Sequence, residues 1–242
     1  MIKVLQVLSA ARVWTLKDGT EHPTGFWAEE FVVPYRLFTE AGWDVTLATP
    51  GGEEPVVDRL SLGVKGGVLP HTAKKLKAEL ARLASVLEQP ADLSEVDPDD
   101  FDVVFYSGGH GPMEDLAVDA TSGALLTKRL ASGRPVALLC HAPAAALAAT
   151  NPDGSWPFAG YTMTGLSNAE ERLNPFAWKA KWLLEDRLKE AGADYTSGLP
   201  LKSKVVVDRN VYTGQNPGSS AALARRLVTD VTGKQSASPS GA

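Results

Sequence analysis

Short apolar runs alternate with amphipathic stretches of helix length along this chain. Residues 3–8, 44–48, 103–106 and 135–139 are short runs rich in Val, Leu and Phe, bounded by turn residues, and each predicts a buried strand. Helical spacing predicts helices over 24–41, 73–87, 124–131, 142–149, 179–191 and 219–229; Leu76, Leu80, Leu83 and Leu87 mark one face of the second. Gly42 follows the first helix as a plausible C′ residue. A further strand is expected near 161–164. The valine runs at 205–207 and 211–213 predict a hairpin turning at Asp208-Arg209-Asn210. Residues 53–72 carry no clear period and belong to an excursion spanning about 51–96. The end, 233–242, is rich in Ser, Gly and Pro and is expected to be a disordered tail. Strands alternating with helices imply one α/β domain over 1–232, with a mostly parallel sheet covered on both faces. In such sheets ligands sit beyond the carboxyl ends of the strands. Cys140 and the Ser107-Gly108-Gly109-His110-Gly111 turn both fall there.

Composition narrows the partners. With 44% hydrophobic and 22% charged residues the chain has apolar surface enough for a sizeable core. A net charge of -5 argues against nucleic acid or an anionic membrane as partner, because phosphate contacts need clustered Lys and Arg. The lysines between Lys74 and Lys77 read as the solvated face of a helix. No apolar run is long enough to span a bilayer, and the apolar part of the first ten residues is too short for a secretory signal. A single cysteine makes no internal disulfide, so the expected location is the cytoplasm.

That cysteine is the centre of the candidate chemistry. The segment Val136-Ala137-Leu138-Leu139-Cys140-His141-Ala142-Pro143 reads as an apolar strand, a sharp turn and a helix start. Small residues follow the turn, as a tight elbow requires. A thiol near a helix N-terminus is expected to favour the nucleophilic thiolate. His141 is either a polar helix-start residue or a base for the thiol, oriented by a third group. Side chains of neighbouring residues normally diverge, so that pairing needs a strained elbow. The glycines at 108 and 109 form either a plain turn or an oxyanion hole, since they let N–H groups approach a developing charge. The turn lacks the spacing of a phosphate loop. His110 is a ligand or a turn residue. Glu29 and Glu30 either complement a helix dipole or supply a buried acid. Glu170 and Glu171 are equally ambiguous on local sequence. The six tryptophans read as packing.

Taken together, LLCHAPAAAL, YSGGHGPMEDL, TGFWAEE followed by AGWDVTLATPGG, and the late TGQNPGSS resemble the DJ-1/PfpI superfamily, and within it the branch of heat-shock protein 31 chaperones and glyoxalase III enzymes. The resemblance runs from about residue 3 to 231. It implies a flavodoxin-like parallel sheet sandwiched by helices, with a C-terminal β-hairpin, commonly as a homodimer. By the same resemblance Cys140 matches the nucleophile, Glu30 the acid that hydrogen-bonds the sulfur, and His141 the histidine of a Cys-His-acid triad. Glu171 fits the triad acid by its spacing from Gly165 better than Glu170 does. Gly109 and the His141 N–H match the oxyanion-hole donors. Residues 51–96 match no branch closely. The implied activity is glutathione-independent conversion of methylglyoxal or a related aldehyde to a hydroxy acid, with no metal and no organic cofactor. The alternatives are a stress-linked holding chaperone, a deglycase or a cysteine peptidase. A glutaminase is excluded because its His-x-Glu pair lies far downstream of the cysteine, and no histidine follows His141.

Overall fold

The computed structural model describes residues 1–174 and 177–237. Eleven strands follow in chain order: β1 (Lys3–Val7), β2 (Val13–Thr15), β3 (Glu21–Pro23), β4 (Asp44–Thr49), β5 (Ala91–Asp92), β6 (Val103–Tyr106), β7 (Val136–Leu139), β8 (Thr162–Met163), β9 (Asp194–Tyr195), β10 (Val205–Asp208) and β11 (Val211–Gly214). The helices are α1 (Ala28–Glu40), α2 (Pro70–Arg82), α3 (Ala84–Glu88), α4 (Ala120–Ala131), α5 (Asn168–Glu171), α6 (Leu184–Ala191) and α7 (Ser220–Ala237), with short 3₁₀ turns between them.

Seven strands form the central sheet in the order β10-β11-β7-β6-β1-β4-β5. All neighbours are parallel except the β10–β11 hairpin. The strands β6 and β7 and all but the first residue of β1 are buried, which is why they read as unbroken apolar runs. Val4 pairs with Val45 on one side and Val103 on the other, so the strand order reverses beside β1. A crevice opens at such a reversal. Leu5, Val7, Val104, Tyr106, Val136 and Leu138 face one buried cluster, and Val4, Phe105, Ala137 and Leu139 face the other. This alternation places helices on both faces.

The expected elements are present, with changes at their ends. Residues 24–27 are extended rather than helical: Phe26 N–H donates to Val56 O and Asp58 N–H to Phe26 O, so the excursion captures this segment before α1 begins. The helix expected over 73–87 breaks at Leu83 (φ -96°, ψ 10°) into α2 and α3. Residues 142–148 form a 3₁₀ rather than an α-helix. The segment 179–191 divides into a 3₁₀ turn and α6. Helix α7 runs on to Ala237, eight residues past its expected end, so 233–237 are helical; the rest of the expected tail, 238–242, lies outside the described residues. Two small pairings stand apart from the central sheet, and of their strands only β8, expected near 161–164, carries a sequence signal. The pairings are the β2–β3 hairpin, which sets Trp14 opposite His22, and the parallel pair β8–β9. Among the described residues no helix is long and apolar enough to cross a membrane.

Candidate active site

Strand β7 ends at Leu139, and the chain turns at once. Cys140 has φ +60°, a left-handed conformation that side chains avoid. Two bonds hold it there: its N–H donates to Gly214 O at 2.8 Å, and its carbonyl accepts the Leu166 N–H at 2.8 Å. This strained elbow answers the objection that adjacent side chains diverge. Cys140 Sγ lies 3.5 Å from His141 Nδ1. The far nitrogen, His141 Nε2, lies 2.5 Å from Glu171 Oε2. An ionised carboxylate accepts only, so Nε2 carries the hydrogen and Nδ1 presents its lone pair to the sulfur.

Glu171 reaches this position from α5, a single turn started by a reciprocal cap. Ser167 Oγ accepts the Glu170 N–H, and the Glu170 side chain turns back to Ser167. Successive helix residues point about 100° apart, so the two acids part company. Glu170 accepts from Gln215 Nε2 at 2.6 Å, Asn216 Nδ2 at 2.7 Å and Leu201 N–H at 2.8 Å. It clamps the 201–216 segment. Glu171 turns inward to the histidines.

Glu30 arrives from the other side, in the first turn of α1. Pro34 lies four residues on and has no N–H to bond the Glu30 carbonyl. Ser107 Oγ donates to that carbonyl instead, at 2.9 Å, and accepts from Gln6 Nε2 at 3.1 Å. Side chains from β1 and the end of β6 thus anchor the start of α1. Glu30 Oε2 accepts the Gly108 N–H at 2.8 Å. A Cβ at Gly108 would stand 2.6 Å from that same oxygen, so only glycine permits the approach. Oε1 finds no nitrogen or oxygen partner, and the carboxyl interacts with the Cys140 thiol.

Charge states follow from these surroundings. Burial pushes Glu30, 0% exposed, up to about 8, against the smaller opposing pull of Cys140 and Gly108. A buried carboxyl with an unpaired oxygen is best accommodated protonated. Burial also raises the Cys140 thiol, and the Glu171 charge raises it further, while Glu30, holding its proton, sets no charge against the sulfur. This corrects the expectation of a resting thiolate: with Cys140 4% exposed and the ionised Glu171 carboxylate acting on it, any gain from the short 3₁₀ start is outweighed. Burial holds His141 below its ordinary value, against the pull of Glu171. Burial alone would raise Glu171, but His110 and His141 outweigh it and hold its carboxyl well below the usual range.

Sequence reasoning left His110 open between ligand and turn residue. The fold brings its Nε2 to 2.9 Å from Glu171 Oε1 and stacks its ring on Trp14 and against His141. The GGHG turn was its only local signal. Gly109, at φ +106°, completes that turn, and a Cβ there would stand 2.4 Å from Gly25 O. Among the described residues neither the Gly109 N–H nor the His141 N–H has a hydrogen-bond acceptor. Glu29 stays nearer the surface and is raised by burial. His110, His141 and Glu171 each offer a polar atom within 4.8 Å of the others, but both Nε2 atoms are turned to the carboxylate, so the three satisfy one another and present no open lone pairs for a metal.

The family model described as DJ-1/PfpI matches residues 22–230. A protein named protein/nucleic acid deglycase HchA, from Staphylococcus aureus, is 27% identical over 95% of this chain and 80% of its own length. The structure of the 24 kDa rapid encystment protein of Francisella tularensis superposes with a TM-score of 0.84 at 25% identity, covering 96% of this chain and 99% of that one. Glyoxalase III from Candida albicans gives a TM-score of 0.80 at 24% identity over 94% and 96% of the two chains, which shows the fold alone.

Proposed function

The chain belongs to the DJ-1/PfpI family, and from that premise we propose that it is a cysteine-dependent enzyme acting on small reactive carbonyl compounds, of the glutathione-independent glyoxalase type. The observation that carries this reading is the pair of unlike groups on Cys140: the His141 lone pair at 3.5 Å and a fully buried, protonated Glu30. A hydrolase needs the first. Moving a proton between neighbouring carbons needs the second as well, because the carboxyl both gives and takes protons near neutral pH. Deep burial of Cys140, His141 and Glu30 favours a substrate of a few heavy atoms over a peptide.

The thiol starts neutral, so the first step is its transfer of a proton to His141 Nδ1, with Glu171 stabilising the imidazolium through Nε2. Sulfur then adds to the aldehyde carbon of methylglyoxal, and the imidazolium returns the proton to the new oxyanion, giving a hemithioacetal. Unpartnered N–H groups at Gly109 and His141 are suited to that oxyanion. His141 next removes the hydrogen from the former aldehyde carbon while Glu30 protonates the neighbouring carbonyl oxygen, forming an enediol. His141 delivers its proton to the second carbon, and Glu30 recovers one from the first hydroxyl, leaving a lactoyl thioester. Water hydrolyses this to lactate and the free thiol. The sum is methylglyoxal plus water to lactic acid, with no redox partner.

The test is lactate formation from methylglyoxal by purified protein without glutathione, with Cys140→Ala as control. No lactate above the control would end the reading. The relative named a deglycase makes removal of an aldehyde adduct from an amine the second reading, and glycated substrate in the same assay separates the two. A holding chaperone would suppress aggregation equally well with Ala at 140; the exposed Leu173, Trp178, Leu199 and Leu201 are the surface it would use. We place the enzyme in the cytoplasm, where a free thiol stays reduced, and expect it to be a homodimer.

A further inference from the structure

Glu171 serves two imidazoles. Oε2 faces His141 Nε2 at 2.5 Å and Oε1 faces His110 Nε2 at 2.9 Å. Neither ring has room to turn away. His110 is 6% exposed, stacked on Trp14 with centroids 4.3 Å apart and planes at 20°, and its other neighbour is the His141 ring, also at 4.3 Å. The hairpin that brings Trp14 there also brings His22, and the excursion brings Asp58; with Glu171 and His141 these are the charged or titratable groups that act on His110.

One carboxylate shared between two rings has one negative charge to offer. When His141 takes the thiol proton, it becomes an imidazolium 4.3 Å from the His110 ring. If His110 already holds a proton, two cations face each other across one anion, and the transfer is disfavoured. If His110 is neutral, its Nε2–H steadies Glu171 without competing for its charge. We propose that His110 is a positioning residue that pins Glu171 for His141 and, when itself protonated, weakens His141 as a base toward Cys140. This rests on the reading of Cys140 and His141 as nucleophile and base. Burial opposes a charge on His110, but the Glu171 charge and hydrogen bond outweigh it, so the ring takes its proton within the histidine range or above it. The carboxylate is therefore a shared counter-ion, and the histidine remote from the sulfur decides how much of it His141 receives.

Two replacements separate pinning, charge and packing. Gln at 110 sets an amide N–H near the place of Nε2 and never carries charge. Phe keeps a ring against Trp14 but has no donor. The probe is iodoacetamide, with the alkylation rate of Cys140 followed from pH 5 to 9, because it reads activation of the sulfur whatever the natural substrate. Wild type is expected to show a step in the histidine range, about tenfold in rate, that H110Q lacks. H110Q should therefore react faster than wild type at pH 6 and about as fast at pH 8.5, and H110F slower than H110Q throughout. Superimposable profiles for wild type and H110Q would overturn the proposal, as would equal slowing of H110Q and H110F, which would mark His110 as packing alone. Should either variant fail to fold, histidine ring NMR of the wild type supplies the readout: a His110 titration that also displaces the His141 signals supports the coupling, and independent titrations overturn it. Lactate formation is measured alongside. An intact alkylation step without lactate counts against the glyoxalase reading and leaves the role of His110 standing.

Discussion

Two buried carboxyls act on the same sulfur, Glu30 beside it and Glu171 across the His141 ring, and they are held in opposite states. At the start of α1, Glu30 has one N–H donor, from Gly108, and an oxygen with no nitrogen or oxygen partner, so burial dominates and the group keeps its proton up to about 8. At α5, Glu171 has an imidazole on each oxygen, and its charge is satisfied although it is buried nearly as deeply. Depth alone therefore does not decide ionisation; the count and charge of donors does. One side of Cys140 stores a proton, and the other stabilises one on His141. A site with two ionised acids would repel the thiolate, and one with two neutral acids would leave the imidazolium uncompensated.

The sharpest way to break this contrast is Glu30→Gln. It keeps a donor beside sulfur but removes the transferable proton, so turnover of methylglyoxal should fall by about 10²- to 10⁴-fold while alkylation of Cys140 persists. Full activity of this variant on methylglyoxal would remove Glu30 from the chemistry. Glu171→Gln attacks the other side. Turnover should drop by about 10²-fold or more with the fold intact, because His141 loses its orienting anion. If Glu170→Gln were the crippling change and Glu171→Gln mild, the two acids would have to exchange roles. Glu170→Gln is instead expected to cost stability. It sets an amide against the donors from Gln215, Asn216 and Leu201, at a cost of about 1–3 kcal/mol, read as a lower Tm.

A smaller effect follows from the raised Glu30. Its folded value, about 8, lies above the unfolded value of 4.5, so its contribution to stability is present in full below pH 4.5 and declines as pH rises toward 8. Denaturant unfolding of wild type minus Glu30→Gln should slope downward across that window and level off above it. A flat difference would mean that Glu30 ionises normally. The smallest change is Ser107→Ala, which frees the Glu30 carbonyl that Pro34 leaves unbonded in the helix. About 1 kcal/mol should be lost, with a modest fall in alkylation rate.

Much of the frame was legible from the chain. The buried parallel strands appear as unbroken apolar runs, the elbow as LLCHAPAAAL, and the last hairpin as two valine runs around Asp208-Arg209-Asn210, now β10 and β11. The same reading found β8 near 161–164 but missed β2, β3, β5 and β9, because strands of two or three residues are too short to show a period. It extended the first helix back to residue 24, because nothing local announces that Phe26 bonds to residues 56 and 58.

At the site the division is the same. Sequence alone determined which residue types are available: one thiol, a histidine beside it, a Gly-Gly turn, and paired acids at 29–30 and 170–171. The tertiary structure decided which acid of each pair enters and what charge it carries. Glu170 and Glu171 differ by one position and about 100° of helix, and only the surfaces they meet, the 201–216 segment or the two histidines, separate clamp from anchor. The thiol reads from its neighbours in sequence as ionised, yet the folded protein holds it neutral, because burial raises it and the Glu171 charge, brought from another part of the chain, raises it further. Local pattern reflects backbone preference and apolar periodicity, both set within a few residues. Ionisation depends on desolvation and charge over several ångströms of space, and that space is filled by chain from the far ends of the sequence.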